Sequence, residues 1–212
     1  MAHSEANISI TQCESGGCLA KIPGLELISL IDNIKDIIRT SSSASASAPE
    51  DAAIIELNGQ NILFTTDIGP IVGTDAFIGG KIAALHAISD IYVMGGSPTH
   101  ALLTSIVPKT STYEQRQALL KGVFVACENE GVNIVGGHSI FGDNFLIGLS
   151  VIGKTEGNIL RKQSAKEGDA ILISKPIGTG LAARALFEGV DKLMTSRHLC
   201  AIRLHERKTA MP

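Results

Sequence analysis

The sequence predicts an α+β fold, with a mostly antiparallel sheet that carries helices on one face. Apolar residues recur at helical spacing in three stretches, shorter strand-like runs lie between and after them, and Asn58-Gly59 joins two of those runs. The predicted order is helix, two strands, helix, strand, helix and then strands, which is typical of that class. A chain of 212 residues with 44% hydrophobic content suits one ordinary globular domain.

The first predicted elements are a helix and a hairpin. Residues 24–40 read GLELISLIDNIKDIIRT, whose apolar positions recur as in an amphipathic helix. The low-complexity segment SSSASASAPE at 41–50 has nothing to pack and predicts a loop. AAIIEL and NILFTT then flank Asn58-Gly59, and both residues accept positive φ, so the sequence predicts a tight hairpin.

Two further helices and four further strands complete the predicted fold. The second helix runs from about Asp75 to Val93 and ends at Gly95-Gly96. Its predicted buried face comprises Ile78, Ile82, Leu85 and the stretch from Ile88 to Ile91. The third helix is YEQRQALLKGVFVACENEG, closed by Gly131. The predicted strands are ALLTSIVP, VNIVGG, FLIGLSVIGK and DAILISK.

Composition excludes several classes of protein. The 18 basic and 21 acidic residues give a net charge of −3, without the basic excess of a nucleic-acid-binding protein. Trp is absent and aromatics are 4%, so base-stacking platforms are not expected. Apolar runs are too short for a bilayer and the first residues do not resemble a signal peptide. Four scattered cysteines do not form a disulfide framework, so we expect a soluble, cytoplasmic protein with reduced thiols.

Carboxylates at the edges of apolar segments are the first candidate site. Asp51 opens the hairpin, Asp67 closes it, and Asp90 lies within the second helix. Each has an ordinary explanation: a turn residue, a strand-end cap and a solvated helix face. Together with hydroxyls such as that of Thr66, they predict a Mg²⁺ site that bridges polyphosphate oxygens.

A Gly-rich arm, GGCLAKIPG, is the second candidate. Cys18 and Lys21 lie three residues apart there, and a nearby lysine favours the reactive thiolate. The alternative is an exposed arm with an incidental cysteine. Cys127, on the apolar side of its helix, is interpreted as core packing.

A third candidate is VGGHSI at 135–140, where two glycines follow an apolar strand. Backbone N–H groups in such a bend can hold phosphate, and a tight strand-to-loop turn is the alternative. His86 is interpreted as a packed helical histidine rather than a ligand. P-loop, dinucleotide-binding, nucleophile-elbow and HExxH motifs are absent from the sequence.

These segments together resemble the selenophosphate synthetase (selenide, water dikinase) family, within the superfamily of aminoimidazole-ribonucleotide-synthetase-like ATP enzymes. The resemblance covers roughly residues 10–185. Its blocks are GGCLAKI, EDAAIIEL, FTTDIGPIVG, GGKIAALHAISDIYVMGGSP, IVGGHSI, FLIGLSVIGK and DAILISKPIGTG. The Cys-x-x-Lys pair of the arm separates this family from its relatives.

The resemblance implies ATP-dependent synthesis of selenophosphate from selenide and water, with AMP and phosphate as the other products. Selenophosphate is the selenium donor for selenocysteine and selenouridine. The implied roles are catalysis for Cys18 and Lys21, the latter at the ATP phosphates, and magnesium binding for Asp51 and Asp90. The residues implied at the nucleotide are Lys21, Asp67, Asp90, Gly137, His138 and Ser139.

The family is homodimeric, and two N-terminal sheets pair in a barrel-like interface, so that the Gly137–Ser139 segment reaches the ATP of the partner. We therefore expect a homodimer with a shared ATP site. Residues 1–50 would form an arm, helix and Ser/Ala loop, and 51–185 the ATP-binding and dimerisation domain. Residues 186–212 would form an irregular tail in place of the family's second domain, which supplies a further Asp for magnesium.

Two alternatives stay open. The chain could be a catalytically incomplete nucleotide-binding partner or regulator of a full-length enzyme, which the short magnesium set and irregular tail favour and the retained Cys18, Lys21 and aspartates disfavour. It could also be a related enzyme with another acceptor, in which case Cys18→Ser would leave activity intact.

In the family, Asn is common at the position of His86.

Overall fold

One five-stranded sheet and three helices are present in the computed structural model, which describes residues 22–32, 50–155, 157–171, 173 and 177–178. In chain order the elements are α1 (Gly24–Asp32), β1 (Ala53–Leu57), β2 (Gln60–Pro70), α2 (Ala76–Val93), β3 (Gly96–Pro108), α3 (Tyr113–Asn129), β4 (Asn133–Gly142) and β5 (Leu146–Thr155).

The sheet has the strand order β1-β2-β5-β3-β4. The pairs β1–β2, β2–β5 and β5–β3 are antiparallel, and only β3–β4 is parallel. The parallel pair follows from the connection, because α3 carries the chain from the end of β3 back to the start of β4. The predicted α+β class and mostly antiparallel sheet are confirmed. The sheet is not closed, so the barrel-like dimer interface stays a prediction.

The predicted hairpin is present at Asn58-Gly59. Asn58 has φ of 53° and Gly59 has φ of 78°, the left-handed conformation that a two-residue turn between twisted strands requires. The flanking residues Leu57 and Gln60 are paired, which sets the register of β1 against β2. That register places Ile54 opposite Leu63 on the buried side of the sheet.

Helices α2 and α3 cover one face of the sheet and leave the other open. Along β2, Leu63 and Thr65 are buried, whereas Phe64 and Ile68 are exposed. This period-2 alternation is the pattern of a sheet with one face in the core. The core lies between that face and the helices, and its largest members include Leu63, Ile88, Ile91, Met94, Leu119, Ile147 and Leu149.

Two glycines set the distance between α2 and α3. A Cβ atom on Gly80 would collide with the backbone carbonyl of Leu119, and one on Gly122 with that of Phe77. The helices therefore touch backbone to backbone at this crossing.

Helix α2 buries mainly small residues, which differs from the predicted face. Its buried members are Ala76, Gly79, Gly80, Ala84, Ala87, Ile88 and Ile91, while Ile78, Ile82 and Leu85 are half-buried. Ile88 and Ile91 are buried as predicted, whereas close approach of α3 requires a small residue elsewhere, as at Gly80 against Leu119. This helix is also long and apolar enough to span a membrane, with a mean hydropathy of 1.2. Its packing between α3 and the sheet is that of a core helix.

Two predicted strand boundaries are wrong, and one predicted strand is not observed among the described residues. The strand predicted at ALLTSIVP begins earlier, at Gly96, and VNIVGG continues through HSIFG as β4. Pairing along β3 extends β4 and turns the predicted bend into strand. The described residues of DAILISK, 169–171 and 173, have no strand structure, and Ile171 is 92% exposed. Much of the first predicted helix, the arm at 1–21 and the tail at 186–212 lie outside the described residues.

We expect Gly122→Ala to destabilise the fold by about 1–3 kcal/mol, because the added methyl forces α2 and α3 apart. Alanine is otherwise the better helix former by about 1 kcal/mol, so the sign of the effect tests the contact. The measurement is unfolding in urea. Gly69→Ala is the matched control, since its Cβ would meet nothing within 4 Å, and it should change stability by less than about 0.5 kcal/mol. An equally stable Gly122→Ala variant would contradict the close crossing.

Candidate functional site

Three aspartates from separate elements meet at the helix-covered side of the sheet. Asp51 lies two residues before β1, Asp67 lies within β2, and Asp90 lies in the last turn of α2. Their charges influence one another, since Asp67 and Asp51 both raise the pKa of Asp90. Asp51 and Asp67 are thus near enough to act electrostatically on Asp90. Asp67 is not at the end of its strand, because β2 continues to Pro70.

Thr65 joins two of these residues. Its hydroxyl donates a hydrogen bond to Asp90 Oδ2 at 2.9 Å and lies 3.3 Å from the carbonyl oxygen of Asp51. Thr65 is 6% exposed, and it faces the helices because it alternates with Leu63 and Asp67 along β2. One buried hydroxyl thus fixes the α2 carboxylate against the start of β1.

Asp67 has a histidine partner. His86 Nε2 lies 3.1 Å from Asp67 Oδ2, and the His86 side chain is 50% exposed. His86 and Asp90 are four residues apart in α2, so both project on the same side of the helix. The interpretation of His86 as a packed helical histidine is wrong.

Asp51 has a lysine partner from a distant part of the chain. Lys162 Nζ lies 2.8 Å from Asp51 Oδ1, and both side chains are partly exposed. Glu50 is paired with the neighbouring residue, since Arg161 Nη1 lies 3.6 Å from Glu50 Oε1. The segment after β5 therefore brings two cations to two adjacent carboxylates.

The electrostatics of the site converge on Asp90. Burial raises its pKa above the ordinary value, and the charges of Asp67 and Asp51 raise it further. The hydrogen bond from Thr65 and the proximity of His86 act in the opposite direction. Ionised Asp90 is therefore less stable here than in water, and a cation at the site would relieve that cost.

The donor chemistry fits Mg²⁺. The carboxylate oxygens of Asp51 and Asp90 are the hard ligands that this ion prefers, and the Thr65 hydroxyl lies beside the Asp90 carboxylate and the backbone carbonyl of Asp51. Within the described part of the chain, no group of three His, Cys, Asp or Glu side chains is arranged to hold a metal by itself. One or two protein carboxylates are enough for Mg²⁺, which keeps several waters and binds substrate phosphates.

The predicted Gly137–Ser139 segment lies away from the aspartates. Gly137, His138 and Ser139 lie in the edge strand β4, paired with β3. In the sheet register, Asp67 pairs with Leu149, Leu149 with Leu103, and Leu103 with Gly137. Asp67 and Gly137 are therefore three strand spacings apart, or about 14 Å. Within one chain, the Gly137–Ser139 segment therefore does not contact the three aspartates. Cys18 and Lys21 lie outside the described residues.

Thr65, rather than the predicted Thr66, lies at the Asp90 carboxylate, and Lys162 is a further residue of the site that was not predicted. Thr66 faces the opposite side of the sheet, where its hydroxyl lies 2.8 Å from that of Ser150. The period-2 alternation of β2 with Asp67 would have selected Thr65 instead. Lys162 carries no local signal, because its contact with Asp51 spans more than a hundred residues of sequence.

Comparison with known proteins defines the family. The model of the AIR synthase related protein N-terminal domain matches residues 49–155, about half of the chain and all five strands. The chain belongs to this family.

Individual relatives are more specific. The chain is 38% identical over 138 residues to selenide, water dikinase of Treponema denticola, a match that covers 64% of this chain and 39% of the relative. It is 32% identical over 204 residues to selenide, water dikinase of Clostridioides difficile, covering 92% and 57%. The chain spans about half the length of the curated relatives it matches. Thiamine monophosphate kinase of Aquifex aeolicus has the same fold, with a TM-score of 0.67, 24% identity and coverage of 85% and 60%.

We expect Asp90→Asn to stabilise the metal-free protein at pH 7. A raised folded-state pKa means that the folded protein binds this proton more tightly than the unfolded chain does, so stability falls as pH rises from about 4 through the folded pKa. The amide removes this loss and keeps an oxygen for Thr65.

The measurement is thermal unfolding without divalent cations between pH 4 and 7. The variant should melt above the native protein at pH 7, by about 2–4 °C for each kcal/mol recovered from the burial of the charge and its repulsion, and the gap should close towards pH 4. Asn at the exposed Asp143 is the control and should show no such trend. A gap that stays constant with pH would show that Asp90 carries no raised pKa.

Proposed function

We propose that this protein takes part in ATP-dependent phosphoryl transfer of the selenide, water dikinase type. The reaction converts ATP, selenide and water to selenophosphate, AMP and phosphate, and selenophosphate is the selenium donor for selenocysteine and selenouridine. The observation that carries the proposal is the hydroxyl of Thr65, which joins the Asp90 carboxylate to the backbone of Asp51, in a chain similar to several selenide, water dikinases.

The aspartates have separate roles in this proposal. Asp51 and Asp90 would hold Mg²⁺, which when bound would neutralise charge on the phosphate oxygens. Asp67, Asp90 and the Gly137–Ser139 segment would contact the nucleotide. Thr65 fixes the direction of the Asp90 carboxylate, and His86 fixes that of Asp67. Both partners would lower the reorganisation required when the nucleotide arrives.

Cys18 and Lys21 would complete the site from the N-terminal arm. The Cys18 thiolate would serve catalysis and the Lys21 ammonium would contact the ATP phosphates. Because a working thiolate requires a reducing compartment, the proposal includes a cytoplasmic location. By contrast, burial raises the pKa of the Cys127 thiol to about 11, as suits the predicted core residue.

The proposed reaction is tested by following AMP chromatographically in the presence of ATP, Mg²⁺ and selenide. We expect AMP formation that requires selenide and is abolished by Cys18→Ser, with Cys127→Ser as the matched cysteine control. Asp90→Ala should lower the rate by about two orders of magnitude, because it removes a ligand that acts on the reacting phosphates. Loss of less than about threefold would count against Asp90.

The outcomes separate the alternatives. AMP that depends on selenide and Cys18 supports the proposal. Selenide-independent activity that survives Cys18→Ser indicates a related enzyme with another acceptor. Tight Mg-ATP binding by calorimetry without AMP formation indicates a nucleotide-binding partner of a full-length enzyme.

The proposal includes a homodimer with a shared ATP site, supported by the open face of the sheet. Large apolar side chains on that face are exposed by 36–48%; they are Phe64, Ile68, Leu102, Ile140 and Ile152. They come from four neighbouring strands, β2, β5, β3 and β4, and so form a continuous surface. A contiguous apolar face of this kind is typical of a protein interface. The open face thus supports a homodimer, and the shared ATP site is what the resemblance of the Gly137–Ser139 segment implies.

We expect a mass in solution of about twice the 22.2 kDa of the chain. Ile152→Asp puts a charge at the centre of the open face and should give a folded monomer, because a desolvated, unpaired carboxylate is costly. Light scattering gives the mass and circular dichroism checks the fold. Phe124→Asp, on the outer face of α3, is the control and should stay dimeric. A native monomer would remove the shared site from the proposal.

A further inference from the structure

A short segment after β5 connects the end of α2 to the start of β1. This strap, residues 158–162, is anchored by a hydrogen bond from Leu160 N to Met94 O at 3.0 Å. The same Met94 accepts a hydrogen bond at Sδ from Ala52 N at 3.1 Å. The strap packs closely against the end of α2, because a Cβ atom on Gly95 would lie 3.3 Å from the carbonyl oxygen of Asn158. The strap is therefore positioned directly beside Asp51.

The strap ends in two cations that face two carboxylates. Arg161 pairs with Glu50, and the backbone N–H of Lys162 donates to Glu50 Oε2 at 3.1 Å. The Lys162 ammonium then lies 2.8 Å from Asp51 Oδ1. The backbone of the strap is thus held by Glu50 and Met94, independently of the lysine side chain.

An ammonium and a metal ion cannot both occupy the same side of one carboxylate oxygen. Mg²⁺ or Mn²⁺ at Asp51 Oδ1 would lie about 2.0–2.2 Å from the oxygen and would repel the ammonium at this distance. Lysine has a flexible four-carbon stem, and the Lys162 side chain is 51% exposed. Its ammonium can therefore leave Asp51 for solvent while the strap stays in place.

We propose that the Lys162 ammonium and a divalent cation are alternative counter-ions of Asp51, so that metal binding displaces this lysine from the site. The inference rests on the proposed function, which assigns Asp51 to the metal. Without metal, the Lys162 ammonium is the counter-ion of the Asp51 carboxylate. Metal alone consequently binds more weakly than it would to the carboxylates without this lysine.

The test is Mn²⁺ binding to the full chain without nucleotide, measured by electron paramagnetic resonance of the free ion. Lys162→Met keeps the length of the side chain and removes its charge, and we expect it to bind Mn²⁺ about fivefold more tightly than the native protein. Lys166→Met, four residues further along the same loop, is the matched control and should bind as the native protein does. Equal affinity of Lys162→Met and the native protein would overturn the competition.

Asp51→Asn separates this inference from the proposed function. Competition predicts that this variant loses Mn²⁺ affinity and that adding Lys162→Met no longer restores it. If Asp51→Asn binds Mn²⁺ like the native protein, the metal assignment fails, and the inference fails with it. If Asp51→Asn is weakened but Lys162→Met has no effect, the metal assignment survives and only the competition is wrong.

Chemical modification gives a readout that needs no variant. The ion pair with Asp51 should slow reductive methylation of Lys162, and Mn²⁺ should accelerate it by releasing the ammonium. Mass spectrometry of the peptides compares Lys162 with Lys166, whose rate should not change. A Lys162 rate that is insensitive to saturating Mn²⁺ would contradict displacement.

Discussion

The burial of Asp90 beside two further carboxylates is the constraint on which the candidate site depends. Asp51, Asp67 and Asp90 come from different elements and are close enough for two of them to raise the pKa of the third. Each has a different compensating partner in the described structure: Lys162, His86 and Thr65, respectively. An ammonium, an imidazole and a hydroxyl stabilise a carboxylate by different means, so the three positions are not equivalent towards a cation.

The fold holds these groups by contacts far from them. Backbone contact at Gly80 and Gly122 fixes α2 against α3, and the buried face of α2 fixes Asp90 above β2. Met94 links the start of β1 to the strap that supplies Lys162. The geometry of the site is therefore set by packing and backbone hydrogen bonds, which would persist while side chains exchange partners.

Sequence patterns correctly predicted the turns and helix ends, because these depend on the backbone conformation of one or two residues. Positive φ at Asn58 and Gly59 sets the hairpin, and Gly95, with φ of 77°, follows the end of α2 as expected. Long-range pairing decided the rest. The GGHSI segment is strand because β3 is available for it to pair with, and residues 169–171 form no strand although they read as one. A propensity for strand does not show which neighbour will accept the hydrogen bonds.

The sequence by itself determined the fold class, the choice of the three aspartates as candidate residues, and the period-2 pattern of β2. It did so because hydrophobic periodicity and turn chemistry act over a few residues. Only the tertiary structure decided that Thr65 and not Thr66 meets Asp90, that His86 binds Asp67, and that Lys162 reaches Asp51. These contacts join residues up to about a hundred positions apart, and their energies depend on burial and register. Neither burial nor strand register can be read from a few neighbouring residues.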